Sequence, residues 1–402
     1  MKLNTISAHH IFKMDNQIQN YAWGSTTALK DLFDFTNPTL QPQAEVWMGT
    51  HPNGCSQVEH EQSYISLHDL IQHNPAAYLS ANTSEQYGDL PFLFKILSAE
   101  KALSIQVHPN ISDAQQGFVF ENQLDIPLNA HHRNYKDRNH KPELVYALTH
   151  YQAMNGFRPY ADIIANFHQA NIAEIRDELM QFEQQPNAEG LRTFFTSLLT
   201  MNSEKQRYAL DQLVSYATST SDKELSQLII ELSQQYPNDN GLFGPLLLNV
   251  FTLKPGQAMF LNARTPHAYI KGTGLEIMAN SDNVLRVGLT PKHIDIDELV
   301  KCTDFVPILE GDLLTPPLID GCEQHYPVPV DDFKFSIFHA PQDHTVIVES
   351  AEIIMPIDDE AQIHAANGMS LTLKKGQSAF IPAYAGSYKI TSFNRVARAY
   401  NS

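Results

Sequence analysis

Hydrophobic and polar positions change with two different periods along this chain. In residues 12–157 and again from Leu246 onward, short apolar runs alternate with Gly, Pro and Asn, which predicts β structure. Between them the period lengthens to that of a helix. Leu191, Phe194, Phe195, Leu198 and Leu199 fall on one helical face, and so do Leu225, Leu228, Ile229 and Leu232, with Ser221 and Asp222 as possible caps. Residues 158–238 therefore read as a helical insert whose apolar stripes are core. A further short helix is expected after Ser66, with Leu67, Leu70 and Ile71 on one side.

Residues 103–108, Leu-Ser-Ile-Gln-Val-His, alternate strictly. In a strand Leu103, Ile105 and Val107 share one face, and Ser104, Gln106 and His108 the other. Pro109 closes the strand. The polar face presents an amide oxygen and an imidazole two residues apart, which is half a metal site or the wet side of an ordinary strand. Pro91 opens an earlier apolar run over residues 92–97. Residues 111–140 are polar and read largely as loop, crowded with His131, His132, Arg133, Asp137, Arg138, Asn139 and His140. The strand that follows turns Glu143 and Val145 one way and Leu144 and Tyr146 the other.

The segment Leu253-Lys254-Pro255-Gly256-Gln257-Ala258-Met259-Phe260-Leu261 recurs as Leu373-Lys374-Lys375-Gly376-Gln377-Ser378-Ala379-Phe380-Ile381, offset by 373 − 253 = 120. Duplicated β units are expected, each with a hairpin feeding a barrel strand. His267 follows the first copy in Pro266-His267-Ala268-Tyr269, and 267 + 120 = 387 is Ser387. If His267 binds metal, the C-terminal copy has lost its metal. Arg286 lies between Leu285 and Val287, so it should face a polar cavity or an acid. Pro316, Pro317, Pro327 and Pro329 mark residues 301–330 as a linker.

Length and charge narrow the classes. A chain of 402 residues should hold two or three structural units. The net charge of −18 argues against a nucleic-acid partner and requires any phosphate site to be a local cationic cluster. Cys55, Cys302 and Cys322 suggest neither a disulfide framework nor a thiolate metal site. No signal peptide or membrane-spanning run is evident, so the cytoplasm is the expectation; a monomer is expected as well.

Gln106, His108, Glu143 and His267 together make a nitrogen and oxygen ligand set suited to Zn²⁺, with Mn²⁺ or Fe²⁺ also acceptable. Around them stand Gln-Asn-Tyr-Ala-Trp-Gly-Ser at 19–25, Glu-Val-Trp-Met-Gly-Thr-His-Pro at 45–52 and Ser-Ile-Gln-Val-His-Pro at 104–109. Asn-His-Lys-Pro-Glu at 139–143, Pro-His-Ala-Tyr at 266–269 and Ser-Asp-Asn-Val-Leu-Arg-Val-Gly-Leu-Thr-Pro-Lys at 281–292 continue the series. In residues and order these motifs resemble the type I mannose-6-phosphate isomerases. The resemblance is strongest in 12–150 and 243–300, and weak in the insert and after Thr303.

That resemblance implies a mainly β chain with a cupin-type barrel (jelly roll), duplicated, plus a helical domain and one zinc. The units would be 1–157 and 239–302 for the catalytic cupin, 158–238 for the insert and 303–402 for a degenerate cupin. Its zinc ligands carry over to Gln106, His108, Glu143 and His267, and its catalytic arginine to Arg286. The implied reaction interconverts two sugar phosphates, mannose 6-phosphate and fructose 6-phosphate, through an enediolate. Lys141, His140 and Glu276 are candidates for the proton carrier, and Asp282 for ring opening. Lys95, Ser104 and Lys292 are favoured for the phosphate, with Tyr269 beside the substrate. A metal-dependent cupin oxygenase and a non-catalytic sugar-binding cupin are the alternatives.

Overall fold

The computed structural model describes residues 10–60 and 63–401. A first group of strands comprises β1 (Phe12–Asp15), β2 (Gln17–Gln19), β3 (Glu45–Met48), β4 (Gln57–His60), β5 (Ser63–Ser66), β6 (Phe92–Ala99), β7 (Ile105–Val107), β8 (Glu143–Ala147), β9 (Tyr151–Phe157), β10 (Leu248–Leu253), β11 (Ala258–Leu261), β12 (His267–Ala279) and β13 (Leu285–Gly288). A second comprises β14 (Leu318–Asp320), β15 (Glu323–Tyr326), β16 (Lys334–His339), β17 (His344–Ile347), β18 (Glu352–Pro356), β19 (Ala361–Ala365), β20 (Ser370–Leu373), β21 (Ala379–Ile381), β22 (Ser387–Ser392) and β23 (Arg395–Tyr400).

In the first group one antiparallel row runs β2-β3-β6-β12-β8-β11. A second row, with β10, β9, β7 and β13, closes a cupin-type barrel around β12, which belongs to both. Residues 267–271 of β12 pair with β9, and residues 272–279 pair with β6. The strand bends at Gly272, where φ is +127° and a Cβ would lie 2.5 Å from the His150 carbonyl oxygen.

The row β14-β15-β16-β23-β18-β21 repeats the first row strand for strand. The registers repeat as well. Trp47 faces Lys95 as His325 faces Ser336, and Lys95 faces Glu276 as Ser336 faces Arg398. Met278 faces Glu143 as Tyr400 faces Glu352, and Glu143 faces Leu261 as Glu352 faces Ile381. Leu261 and Ile381 end the two copies of the repeated segment, so the duplication extends over the whole row.

Two details of the repeat differ from expectation. The repeated segment is a corner, not a hairpin: β10 pairs with β9 while β11 pairs with β8, and β20 pairs with β19 while β21 pairs with β18. Glycine at φ +91° in one copy and +74° in the other turns the chain sharply enough for the strands to leave into different sheets. The side-chain oxygens of Gln257 and Gln377 accept the Lys254 and Lys374 N–H groups at 2.8 and 3.0 Å, which explains the shared Lys-x-Gly-Gln. The counterpart of His267 is Tyr388 rather than Ser387. Asn155 and Ala365 hold matching places, and they face His267 and Tyr388 respectively. The extra residue is taken up near the turn Ala383–Ala385.

Alternation gives each row two faces. On one, Phe94, Ile96, Leu144 and Tyr146 meet Phe335, Ile337, Ile353 and Met355 in a single buried cluster, so the two barrels pack back to back. The alternate residues line the interiors, among them Glu45, Lys95, Glu143 and Glu276 in one and Glu323, Ser336, Glu352 and Arg398 in the other, all buried. β1, β4 and β5 extend the second row past β21, although residues 1–157 were expected to stay with the first barrel.

The helical segment begins at Tyr160–Ala170, reaches Lys223–Gln235, and continues through a short turn to Gly244–Leu247, past residue 238. Phe194, Leu198, Leu228 and Leu232 join one cluster with Ile105 and Val107 of β7 and Leu285 and Val287 of β13. The insert thus braces the strands that carry Gln106 and Arg286. Residues 111–140, read as loop, contain the helix Ile111–Gln123, capped by the Asn110 side chain, which accepts the Asp113 N–H at 2.8 Å. Its buried positions are Ala114, Gly117 and Glu121, so it carries no apolar stripe to read. The helix after Ser66 starts as expected, Ser66 accepting the Asp69 N–H at 3.0 Å. The region read as linker contains β14 and β15.

Candidate active site

Strand ends assemble the site. Gln106 is on β7 with His108 just beyond it; Glu143 and His267 begin β8 and β12. His108 Nδ1 is 2.8 Å from the Asn283 carbonyl oxygen, and His267 Nδ1 is 2.9 Å from that of Thr265. A carbonyl can only accept, so each ring carries its hydrogen on Nδ1 and turns a bare Nε2 inward. The two Nε2 atoms lie 3.3 and 3.6 Å from the Glu143 oxygens. His108 Nε2 is buried with no hydrogen-bond partner, and ligand atoms of all three residues lie within 4.8 Å of one another. Gln106 Nε2 donates to Ser104 Oγ at 3.1 Å, which leaves its oxygen as a fourth donor atom. This donor set fits a zinc ion.

Electrostatics agree with that fit. Burial, helped by the Lys141 charge, pushes His108 down to about 4, so the ring is neutral near pH 7. Burial alone would raise Glu143, but Lys141 and His108 outweigh it and hold the carboxyl well below its usual range. Lys141 Nζ lies 3.2 Å from Glu143 Oε1, and the Tyr269 hydroxyl donates to Oε2 at 3.0 Å.

These groups stand in a polar cavity of about 240 Å³. Within it Lys95 Nζ is 2.7 Å from Glu276 and 3.7 Å from Glu45. Burial opposes the lysine's charge, but the carboxylates prevail and raise its pKa, while burial raises that of Glu276. The Trp47 ring lies under Lys95, with Nζ 5.4 Å from its centroid, and its Nε1–H donates to Glu45 at 2.8 Å. Ser104, Arg286 and Lys292 line the same cavity, with Arg286 facing Gln106 across β13 and β7. Arg286 makes no ion pair among the described residues, and burial lowers its pKa. Lys292 is lowered by burial and then by the Arg286 and Lys136 charges, so the two cations stand near each other.

Most residues singled out from the sequence meet here: Gln106, His108, Glu143, His267, Lys141, Glu276, Asp282, Arg286, Lys95, Ser104, Tyr269 and Lys292 are all within this site. His140 is not. Its Nε2 lies 2.8 Å from Asp332 beside the second barrel, which removes it as proton carrier. Lys95 is matched by carboxylates and is no spare cation for a phosphate. Glu45, Trp47 and His51 also line the cavity, yet the sequence reading gave them no role. A signal was present, because Glu45 is an acid set in the apolar run Ala44-Glu45-Val46-Trp47-Met48. The helical insert contributes no lining residue. A wider cleft of about 650 Å³ opens between the first barrel and the helix Lys223–Gln235, away from the ligand set.

In the second barrel Glu352 persists, but Tyr388 replaces His267 and Val346, which faces Tyr388, replaces Gln106. Tyr388 and Arg398 bond to the Glu352 carboxylate directly. Among the described residues His108, Glu143 and His267 make the one group able to hold a metal.

Comparison with known proteins agrees over most of the chain. The family model described as Phosphomannose isomerase type I, catalytic domain, matches residues 11–160. The type I helical insertion domain matches 167–248, and the Mannose-6-phosphate isomerase cupin domain matches 322–401. Mannose-6-phosphate isomerase of Salmonella typhimurium is 48% identical over 391 residues, covering 97% of this chain and 99% of that protein. The Homo sapiens protein of that name is 34% identical, with 88% of each covered. A crystal structure of zinc-bound mannose 6-phosphate isomerase has a TM-score of 0.93 at 46% identity, covering 98% of this chain and all of that one (100%). With a cupin barrel, a helical insertion and a degenerate second cupin in this order, the chain belongs to the type I phosphomannose isomerases.

Proposed function

We propose that this chain interconverts mannose 6-phosphate and fructose 6-phosphate with one zinc held by Gln106, His108, Glu143 and His267. The observation that carries the reading is the buried pair of bare Nε2 atoms facing Glu143, in a cavity that Arg286 and Lys292 also line. When bound, zinc supplies a Lewis acid for the substrate oxygens. Ring opening moves one proton off the C1 hydroxyl and one onto the ring oxygen; Asp282 takes the first and Lys141 gives the second. Glu276, with its raised pKa and Lys95 at 2.7 Å, then carries the proton from C2 to C1, while the C2 hydroxyl proton passes to O1. Arg286 stabilises the oxyanion that develops between those carbons. Ser104 and Lys292 hold the phosphate. Tyr269 acts through Glu143 rather than on the substrate.

No helix among the described residues is long and apolar enough to cross a membrane. The reading places a monomer in the cytoplasm, supported by three unpaired cysteines and by a site drawn from a single chain. The decisive experiment is a coupled assay on mannose 6-phosphate before and after chelation, with metal analysis of the purified enzyme and light scattering for its mass. A redox-active metal with oxygen consumption would instead support an oxygenase, and sugar binding without turnover a non-catalytic cupin.

A further inference from the structure

The turn after β3 carries a histidine used by neither the ligand set nor the Lys95–Glu276 pair. His51 is 3% exposed, and its ring meets Trp47 edge-on with centroids 4.8 Å apart. Its Nδ1 accepts the Asn53 backbone N–H at 3.2 Å, so the neutral ring keeps its hydrogen on Nε2. That Nε2 lies 3.3 Å from Asp282 Oδ1. The Asn53 side-chain amide donates to the other oxygen, Oδ2, at 3.3 Å. One tight turn, closed by Gly54 N–H to the His51 carbonyl at 2.9 Å, therefore grips both oxygens of a carboxylate far away in sequence.

Asp282 is fixed from its other side too, its N–H donating to Asp137 Oδ2 at 2.7 Å. The titratable groups around its carboxylate are Tyr21 from the turn after β2, His51 from the β3 turn, and Asp137, Lys136 and Lys141 from the segment before β8. Burial by itself would raise its pKa. The His51 contact, with help from the two lysines, more than offsets that. A partly buried carboxylate is a dependable base only while a fixed donor keeps it ionised and oriented.

We propose that His51 is a positioning residue of the isomerase, donating from Nε2 to hold Asp282 ionised and aimed into the cavity. The proposal rests on the reading of Asp282 as the ring-opening base. The Trp47 ring joins His51 to Lys95, so loss of the imidazole can act in two ways: through the donor or through packing. His51→Phe keeps an aromatic edge on Trp47 and removes the donor. His51→Gln removes the ring and keeps an N–H near the place of Nε2.

The test compares His51→Phe, His51→Gln and Asp282→Asn as zinc-loaded enzymes. It measures kcat, KM, the pH profile, zinc content and melting. H51F is expected to lose about tenfold or more in kcat/KM, chiefly in kcat, with wild-type zinc content and melting. Its acid limb should move to higher pH, because Asp282 without its donor protonates more readily. H51Q should stay within about threefold of wild type. Wild-type kinetics in H51F alongside an impaired D282N overturns the role of His51 and leaves Asp282 standing. Wild-type kinetics in D282N overturns the reading of Asp282 and the proposal with it. Equal losses in H51F and H51Q with lowered melting would make His51 structural only, and also overturn the proposal.

Discussion

Arg398 stands in the second barrel at the register position that Glu276 holds in the first. Glu276 faces Lys95 and Val145 across β6 and β8; Arg398 faces Ser336 and Ile354 across β16 and β18. The acids survive on both sides, Glu45 as Glu323 and Glu143 as Glu352. The guanidinium reaches Glu352 through Nε at 3.0 Å and Nη2 at 2.5 Å, and Glu323 through Nη1 at 3.2 Å. A charge built into the chain thus does in one barrel what a bound cation does in the other. Removing one partner of a buried pair leaves the other charge unmatched. Arg398→Ala should therefore lower unfolding stability by about 3–5 kcal/mol. Adding Glu352→Gln to that variant should recover part of the loss. Denaturant melts of the two variants measure both effects.

Metal content separates the barrels. His267→Ala removes a ligand and should lose most bound zinc and most activity. Tyr388→Phe alters the counterpart position, where Arg398 already matches the acid, and should keep both within about twofold. Metal analysis beside the coupled assay checks this. Zinc lost from Y388F with H267A unaffected would reverse the assignment of the active barrel.

How much of this was legible in the sequence follows from the range of each signal. Alternation acts between neighbours, so the opposite orientations of Glu143 and Leu144 could be read directly. The repeated Lys-x-Gly-Gln corner was readable because the same local hydrogen bond demands it in both copies. It could not reveal that the strands on either side enter different sheets, because pairing is decided by distant partners. A one-residue difference in the following loop made Ser387 look like the counterpart of His267. Lys95 and His140 misled for a related reason. A basic residue is read as available for phosphate or proton transfer, yet Glu276 and Asp332 arrive from far along the chain to engage them. The helix Ile111–Gln123 buries too little to leave a periodic trace.

Acid should weaken the metal-free protein over a definite window. Burial pushes His108 down to about 4, below the 6.5 of a free imidazole, so the unfolded chain takes up the proton first. Below pH 6.5 the unfolded state binds more protons than the native state, so stability falls as pH falls and levels off near pH 4. A shift of that size corresponds to a loss of roughly 3 kcal/mol across the window. Added zinc, which requires bare Nε2 atoms, should leave the onset where it is and carry the decline below pH 4. Melting curves of apo and zinc-loaded protein between pH 7 and 3 test this; a levelling-off near pH 4 in both would count against His108 as a ligand.

Arg286→Lys should lose most of kcat while fold and zinc are retained. Leu285 and Val287 on either side of Arg286 are packed against the helical insert, so a lysine there meets the same backbone and the same brace. Lysine keeps one charge but not the planar fork, and two substrate oxygens can no longer be held together. If Arg286 acts on the oxyanion between C1 and C2, kcat and kcat/KM should fall together, by on the order of a hundredfold. Its nearness to Lys292 supports a second role, as part of the phosphate wall. In that case KM rises with kcat nearly unchanged, and Lys292→Ala should show the same pattern. Steady-state kinetics of the two variants, each with a zinc measurement and a melting curve, decide between the roles, and near-normal kinetics in R286K would remove Arg286 from the reaction.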